Sequence, residues 1–211
     1  MKKQEIAISV NDLHVYYRDM NRFSLKKGGL KSRGSGKIFK AVKGVTFEVP
    51  KGQILGICGK NGSGKSTLLR AISGIFSADK GSINLHGNSI SLLSIGVGFQ
   101  KQLTGYENIF LSGMLLGYSK EQIEEKVKDI IEFSELGDFI YKPVRSYSSG
   151  MYSKLAFSIT AILETDIMLI DEVLSVGDIH FKEKSYNKMK ELISDDKRTV
   201  VIVSHLSLIH I

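Results

Sequence analysis

Residues 53–76 read QILGICGKNGSGKSTLLRAISGIF: a short apolar run, a glycine-punctuated polar turn, then an apolar pattern at helical spacing. No other stretch narrows the possible folds so far. A buried strand that runs directly into a tight loop and a helix needs residues tolerant of positive φ, and Gly59, Gly62 and Gly64 supply them. Gly59-Lys60-Asn61-Gly62-Ser63-Gly64-Lys65-Ser66 matches the phosphate-cradling P-loop pattern in full. The glycines let backbone N–H groups turn inward around phosphate oxygens, the following helix adds its positive dipole end, and the Lys65 ammonium neutralises terminal phosphates. Ser66 offers a hydroxyl to Mg²⁺, and Thr67 continues the motif. A glycine turn by itself is mere punctuation; the strand before it and the helix after it are what the motif demands.

The remaining chain is patterned to match. Alternation in EIAISV and VTFEV (residues 5–10 and 45–49) predicts two strands with one solvated face, and SINLHG and ISLLSI (82–87 and 90–95) predict two more. From 104 to 136 the periodicity turns helical, with Ser119 as a cap and Gln122 completing a capping box. DIMLIDE (166–172) and TVVIVSH (199–205) are apolar strands that end in polar pairs, Asp171-Glu172 and Ser204-His205. Strands alternating with helices, with polar residues gathered at strand C-terminal ends, predict an α/β fold on a mainly parallel sheet with ligands at that edge. We expect one domain over residues 1–211, with an N-terminal antiparallel β portion and a helical subdomain at about 101–163. With a P-loop upstream, Asp171 is placed to hold Mg²⁺ through water, Glu172 to orient and polarise an attacking water, and His205 to contact a γ-phosphate.

Composition excludes several classes. The single cysteine, Cys58, rules out an internal disulfide framework, so a reducing compartment is expected. The N-terminal stretch has no apolar run ending in small residues, which argues against a secretory signal, and no uncharged apolar stretch approaches the roughly 20 residues that span a bilayer. The formal charge of +7 is uneven: residues 1–50 hold eleven Lys or Arg against four Asp or Glu, which accounts for the whole excess. Its densest part, RFSLKKGGLKSRGSGKIFK at 22–40, has seven cations and no acid, and reads as a mobile basic loop insertion. A solvated surface loop is the plainer reading, and attraction to anionic headgroups, a phosphorylated substrate or nucleic acid the sharper one.

Taken together, these motifs resemble the ATP-binding subunit of an ATP-binding cassette (ABC) transporter. GKNGSGKST resembles Walker A, IMLIDE Walker B with its catalytic glutamate, SVGD (175–178) the D-loop, and Ser204-His205 the switch histidine, while YSSGM (147–151) sits where the family carries its signature, usually Leu-Ser-Gly-Gly-Gln. The resemblance covers nearly the whole chain. It implies that ATP and Mg²⁺ are bound by the P-loop, with Ser66, Gln100 and Asp171 serving the metal. It also implies that Ser148, Ser149 and Gly150 face the γ-phosphate held by a second copy in a head-to-tail dimer, and that Asp178 communicates between the two sites. Gln100 resembles the Q-loop glutamine. An aromatic near the N-terminus is implied to stack on adenine: Tyr17 fits by its place after the first strand, and Phe39 is its rival.

LTGYENI, YSSGMYSKLAFS, DEVLSVGD and the basic insertion resemble the branch that exports teichoic acid, O-antigen and capsular polysaccharide. That implies an ATPase subunit peripheral to the cytoplasmic face of the membrane, docked on an integral-membrane permease and driving a lipid-linked polysaccharide across. One rival is a soluble ABC-type ATPase acting on nucleic acid or ribosomes; such proteins commonly carry two cassettes or long coiled-coil insertions, and nucleic acid is not the expected partner here. A non-enzymatic P-loop module is a second rival, against which Glu172 argues. HLSLIHI does not resemble a family C-terminus, so truncation after His205 is also expected.

Overall fold

The computed structural model describes residues 4–18, 38–93, 96, 98–171 and 178–204. In chain order these form β1 (Ile6–Arg18), β2 (Ile38–Pro50), β3 (Ile54–Cys58), α1 (Lys65–Ile72), β4 (Lys80–Asn84) and β5 (Ile90–Leu93). They continue with α2 (Gly105–Leu115), α3 (Lys120–Ser134), α4 (Ser149–Ile162), β6 (Ile167–Ile170), α5 (Ile179–Ile193) and β7 (Thr199–Ser204). An antiparallel sheet has the order β2-β1-β4, and a parallel sheet the order β3-β7-β6-β5.

The antiparallel strands are longer than the sequence pattern predicts, and a bulge explains why. Ile8 and Val10 are buried, and so are Leu13 and Val15, an odd-numbered pair after an even-numbered one. Asp12, at φ 43, supplies the extra residue, and the register with β2 shifts between Val10 and Leu13. Simple alternation therefore loses the strand halfway. Gly81 of β4 packs onto this bulge so closely that a Cβ there would stand 2.2 Å from the Asp12 carbonyl oxygen. The basic stretch needs a correction at its end: Ile38, Phe39 and Lys40 are strand, paired with Arg18, Tyr17 and Tyr16. Residues 22–37 lie outside the described residues.

In the parallel sheet, β6 runs between β5 and β7 and all four of its residues are buried, as expected for a strand covered on both faces. One core fills the space between the sheets, with Leu68, Leu69 and Ile72 of α1 packed among Ile8, Val10, Leu92 and Val201. A second core puts Phe157 of α4 and Phe181 of α5 against Met168, Ile170 and Val200. A third gathers Ile109, Ile123 and Ile130 of the helical subdomain with Leu155, Ile159 and Leu163. Helix α4 thus carries two apolar stripes, Phe157 and Ala161 toward the sheet and Leu155 and Ile159 toward the helices. Each fully buried side chain of this size contributes about 1.5–3 kcal/mol. This double burial anchors the helix and fixes where its N-terminus points.

Candidate nucleotide site and its supporting contacts

The P-loop joins β3 to α1 at the C-terminal edge of the parallel sheet. Gly64, at φ +93, caps α1, and a Cβ there would come within 2.2 Å of the Ala41 carbonyl oxygen of β2. The loop is therefore pressed against the antiparallel sheet. Lys65 is buried, and its Nζ donates to the carbonyls of Gly59 at 2.8 Å and Lys60 at 3.0 Å, folding the ammonium back over the loop. Lys60, Asn61, Gly62 and Ser63 are exposed.

Ser66 Oγ donates to Asp171 Oδ1 at 3.2 Å, joining the loop to the residue that follows β6. A hydroxyl and a carboxylate converging in this way are the hard oxygen donors that Mg²⁺ takes alongside ligand phosphates. Among the described residues no three His, Cys, Asp or Glu side chains form a metal cluster of their own. The two oxygens, Ser66 Oγ and Asp171 Oδ1, suit a cation that also takes oxygen from a bound phosphate chain.

A cleft of about 600 Å³ opens beside the loop, walled by Phe39, Val42, Val45, Ile57, Gly62 and Lys65, among others. Phe39 is 61% exposed and presents an aromatic wall there. Tyr17 stacks behind it, ring centroids 6.5 Å apart at 28°, and its hydroxyl is hydrogen-bonded to Thr67 Oγ1 at 3.0 Å. The structure thus brings both aromatic candidates together and gives them different surroundings. Phe39 lines the cleft, while Tyr17 braces α1.

Gln100 is held through its backbone. Asn108, fully buried in α2, accepts the Gln100 N–H at Oδ1 (2.7 Å), and its Nδ2 donates to the carbonyls of Gln100 (3.0 Å), Leu103 (3.3 Å) and Thr104 (2.7 Å). Thr104 caps α2 in a capping box with Glu107, whose carboxyl is held below the usual carboxylate range by hydrogen bonds from Thr104. Phe99 packs edge-on against Tyr152 of α4 with centroids 4.9 Å apart. Sequence reasoning missed Asn108; the Thr-x-x-Glu pattern at 104–107 was the available signal for its helix.

Ser148 is the N-cap of α4, its Oγ accepting the Met151 N–H at 3.2 Å. Ser148 and Ser149 are exposed, so the first turn of α4 faces outward. Tyr147 donates its hydroxyl to the Phe139 carbonyl at 2.8 Å, and burial pushes this phenol up. Asp178 caps α5, Oδ1 accepting the Phe181 N–H at 3.0 Å. The expected Ser119–Gln122 capping box is present on α3. Glu172, His205 and residues 175–177 of the D-loop lie outside the described residues, as does the side chain of Ser204.

A glycine loop between strand and helix, its lysine folded over it and its serine bonded to a strand-end aspartate, defines a P-loop nucleotide-binding domain. The family model of the ABC transporter matches residues 42–175. The chain belongs to the ABC transporter family and carries its ATP-binding domain. It is 44% identical over 170 residues to the O-antigen export system ATP-binding protein RfbB of Klebsiella pneumoniae, covering 81% of this chain and 69% of the relative. It is 44% identical over 179 residues to the Myxococcus xanthus protein of the same name, covering 85% of this chain and 40% of the relative. Against the teichoic acids export ATP-binding protein TagH of Bacillus anthracis it is 45% identical over 170 residues, covering 81% of this chain and 31% of the relative. The chain thus spans less than half the length of two of these relatives. Among solved structures, a dimeric ATP-binding cassette bound to ADP and Pi superposes with a TM-score of 0.70 at 20% identity, over 93% of this chain and 87% of the other, and supports the fold. No helix among the described residues is long and apolar enough to cross a membrane.

Proposed function

We propose that this chain is the ATP-hydrolysing subunit of an exporter that moves a lipid-linked polysaccharide, of the teichoic acid or O-antigen type, across the cytoplasmic membrane. The observation that carries the ATPase reading is the Ser66–Asp171 hydrogen bond beside the folded-back Lys65, which gathers two oxygens and a cation at one sheet edge and so supports their use on Mg²⁺ and phosphate. The names of relatives at 44–45% identity support the polysaccharide cargo.

In this reading the loop amides and Lys65 hold the phosphate chain, and Phe39 offers a face to adenine with Tyr17 behind it. Ser66, Asp171 and Gln100 would hold Mg²⁺, which would supply charge neutralisation at the phosphate oxygens. Glu172 orients and polarises the attacking water, and His205 contacts the γ-phosphate. Ser148, Ser149 and Gly150, at the positive end of α4, close on the nucleotide of a second copy, with Asp178 beside the same interface. Binding ATP then favours the closed dimer, hydrolysis removes that preference, and the difference biases a membrane permease between two arrangements. The subunit works at the cytoplasmic face.

The substitution Glu172→Gln separates binding from chemistry. ATP turnover should fall by about 10² or more, as loss of a general base does, while ATP affinity stays within a few-fold. A variant that turns over at the wild-type rate refutes Glu172 as the base. Depleting the protein in its host should leave a lipid-linked polymer inside the cell; export that continues unchanged refutes the cargo.

A further inference from the structure

One charged cluster outside the nucleotide cleft ties Asp178 to Lys154, Glu135 and Lys184, none of which has been given a part above. The Lys154 side chain is only 14% exposed, yet it carries an ammonium that donates to Asp178 Oδ2 at 2.8 Å and to Glu135 Oε2 at 3.4 Å. The same ammonium lies 5.0 Å from the centre of the Phe181 ring. Glu135, just past α3 at φ 56, turns its other oxygen to Lys184 of α5 at 2.8 Å, and His180 Nε2 stands 3.9 Å from that oxygen. The end of α3 and the starts of α4 and α5 are thereby knotted at one point. Glu135, Lys154 and Asp178 also line a single cleft of about 420 Å³ with Ser148, Gly150 and Met151.

Burying most of a lysine side chain is costly unless its charge is paired, and here two carboxylates from different elements share it. Anchoring α4 to α3 would require Glu135 alone. The second bond goes to the cap residue of α5, whose Oδ1 already holds the Phe181 N–H. Any movement of the α5 N-terminus is therefore felt through one side chain by the first two turns of α4. Asp178 is held down to about 2, with the Lys154 hydrogen bond as the first cause. Glu135 is lowered first by its hydrogen bond with Lys184.

We propose that Lys154 is a positioning residue that fixes the signature turn, Ser148 to Gly150, at a set spacing from Asp178, so that the two surfaces move as one body. The functional half of this inference rests on the reading that both surfaces face the nucleotide of a second copy. Lys154 touches no substrate; it acts through Asp178 and the helix it stands on.

Two readouts on the purified full chain test the proposal. The first is amide hydrogen exchange, without nucleotide, at Met151 and Tyr152 on α4 and at Phe181 and Lys182 on α5. Lys154→Met, which keeps the apolar stem, should speed exchange at both first turns together by about tenfold, and Lys154→Arg should restore it. Asp178→Asn, which alters only the far end of the link, should still loosen Met151 and Tyr152, and it serves alone should Lys154→Met not fold. Faster exchange confined to one helix, or no change, overturns the proposal. The second readout is turnover: Lys154→Met should lower kcat about tenfold with KM for ATP within about twofold, and the arginine should rescue it. A wild-type kcat in Lys154→Met, or a loss that arginine leaves unrepaired, also overturns it. Absence of turnover in the wild-type chain would instead refute the ATPase reading, and the link would then stand or fall on exchange alone.

Discussion

Asn108 offers the sharpest test of how the Gln100 segment is held. Its amide is fully buried and does two jobs at once: Oδ1 accepts from Gln100 N–H, while Nδ2 donates to three carbonyls at 2.7–3.3 Å. The substitution Asn108→Asp preserves shape and the acceptor but turns the donor side into an oxygen facing three other oxygens. Losing two donor hydrogens costs about 1–2 kcal/mol in net hydrogen bonding. At neutral pH the carboxyl must either stay charged against the carbonyls or take up a proton, and protonating it from an ordinary carboxylate costs about 1.4 kcal/mol for each pH unit above roughly 4. The total reaches about 5–6 kcal/mol at pH 7, a melting temperature lower by roughly 10–24 °C for a domain of this size. The sign follows from linkage. A carboxyl whose folded pKa is raised is tolerated below the unfolded value, and its penalty grows as pH rises above about 4 until the folded pKa is passed. Urea unfolding of wild type and variant at pH 4 and pH 7 should thus give a gap of about 1–2 kcal/mol that widens to about 5–6 kcal/mol. An equal gap at both pH values, or one below about 1 kcal/mol at pH 7, would refute the account of a locked amide.

Gly64→Ala should abolish nucleotide binding in a titration and lower the melting temperature, because the added methyl meets the Ala41 carbonyl and forces φ +93 on a residue with a Cβ. Phe39→Ala should weaken ATP binding about tenfold through loss of a stacking face, whereas Tyr17→Phe, which removes only the hydroxyl bonded to Thr67, should change it by less than about threefold. Asp178 is lowered from 3.8 to about 2, so its stabilising contribution is full above pH 4 and lost as pH falls toward 2. The stability difference between wild type and Asp178→Asn in urea titrations should shrink through that window.

The parts of the site encoded in contiguous residues were legible from the sequence. The strand, glycine loop and helix around residues 53–76 need only local patterning, and β6 and β7 announce themselves as apolar runs with polar ends. The antiparallel strands were half legible, since the Asp12 bulge shifts the phase of alternation while leaving the side chains on one face. Asn108 and Lys154 were not legible at all. Nothing in a linear pattern says that residue 108 turns back on residue 100, or that Lys154 meets one carboxylate from before its helix and another from beyond β6. Their partners are set by how the helical subdomain packs on the sheet. The aromatic pair shows the same limit: Tyr17 and Phe39 are both readable as candidates, and only the pairing of β1 with β2 puts one on the cleft and the other against Thr67.

The order of strands in the parallel sheet also sets a timetable. Among the described residues, β3 takes its strand partner from β7, and Gly52 N–H bonds to Thr199 across 147 residues of chain. At ordinary rates of synthesis, roughly 5–20 residues per second, about 7–30 s separate the emergence of the two strands. The phosphate loop's own strand is thus made well before the strand it pairs with. During that interval its backbone groups face solvent or whatever else is at hand. Ligand present during translation cannot rescue the cassette early, because the strand beneath its loop gains its partner only when β7 arrives.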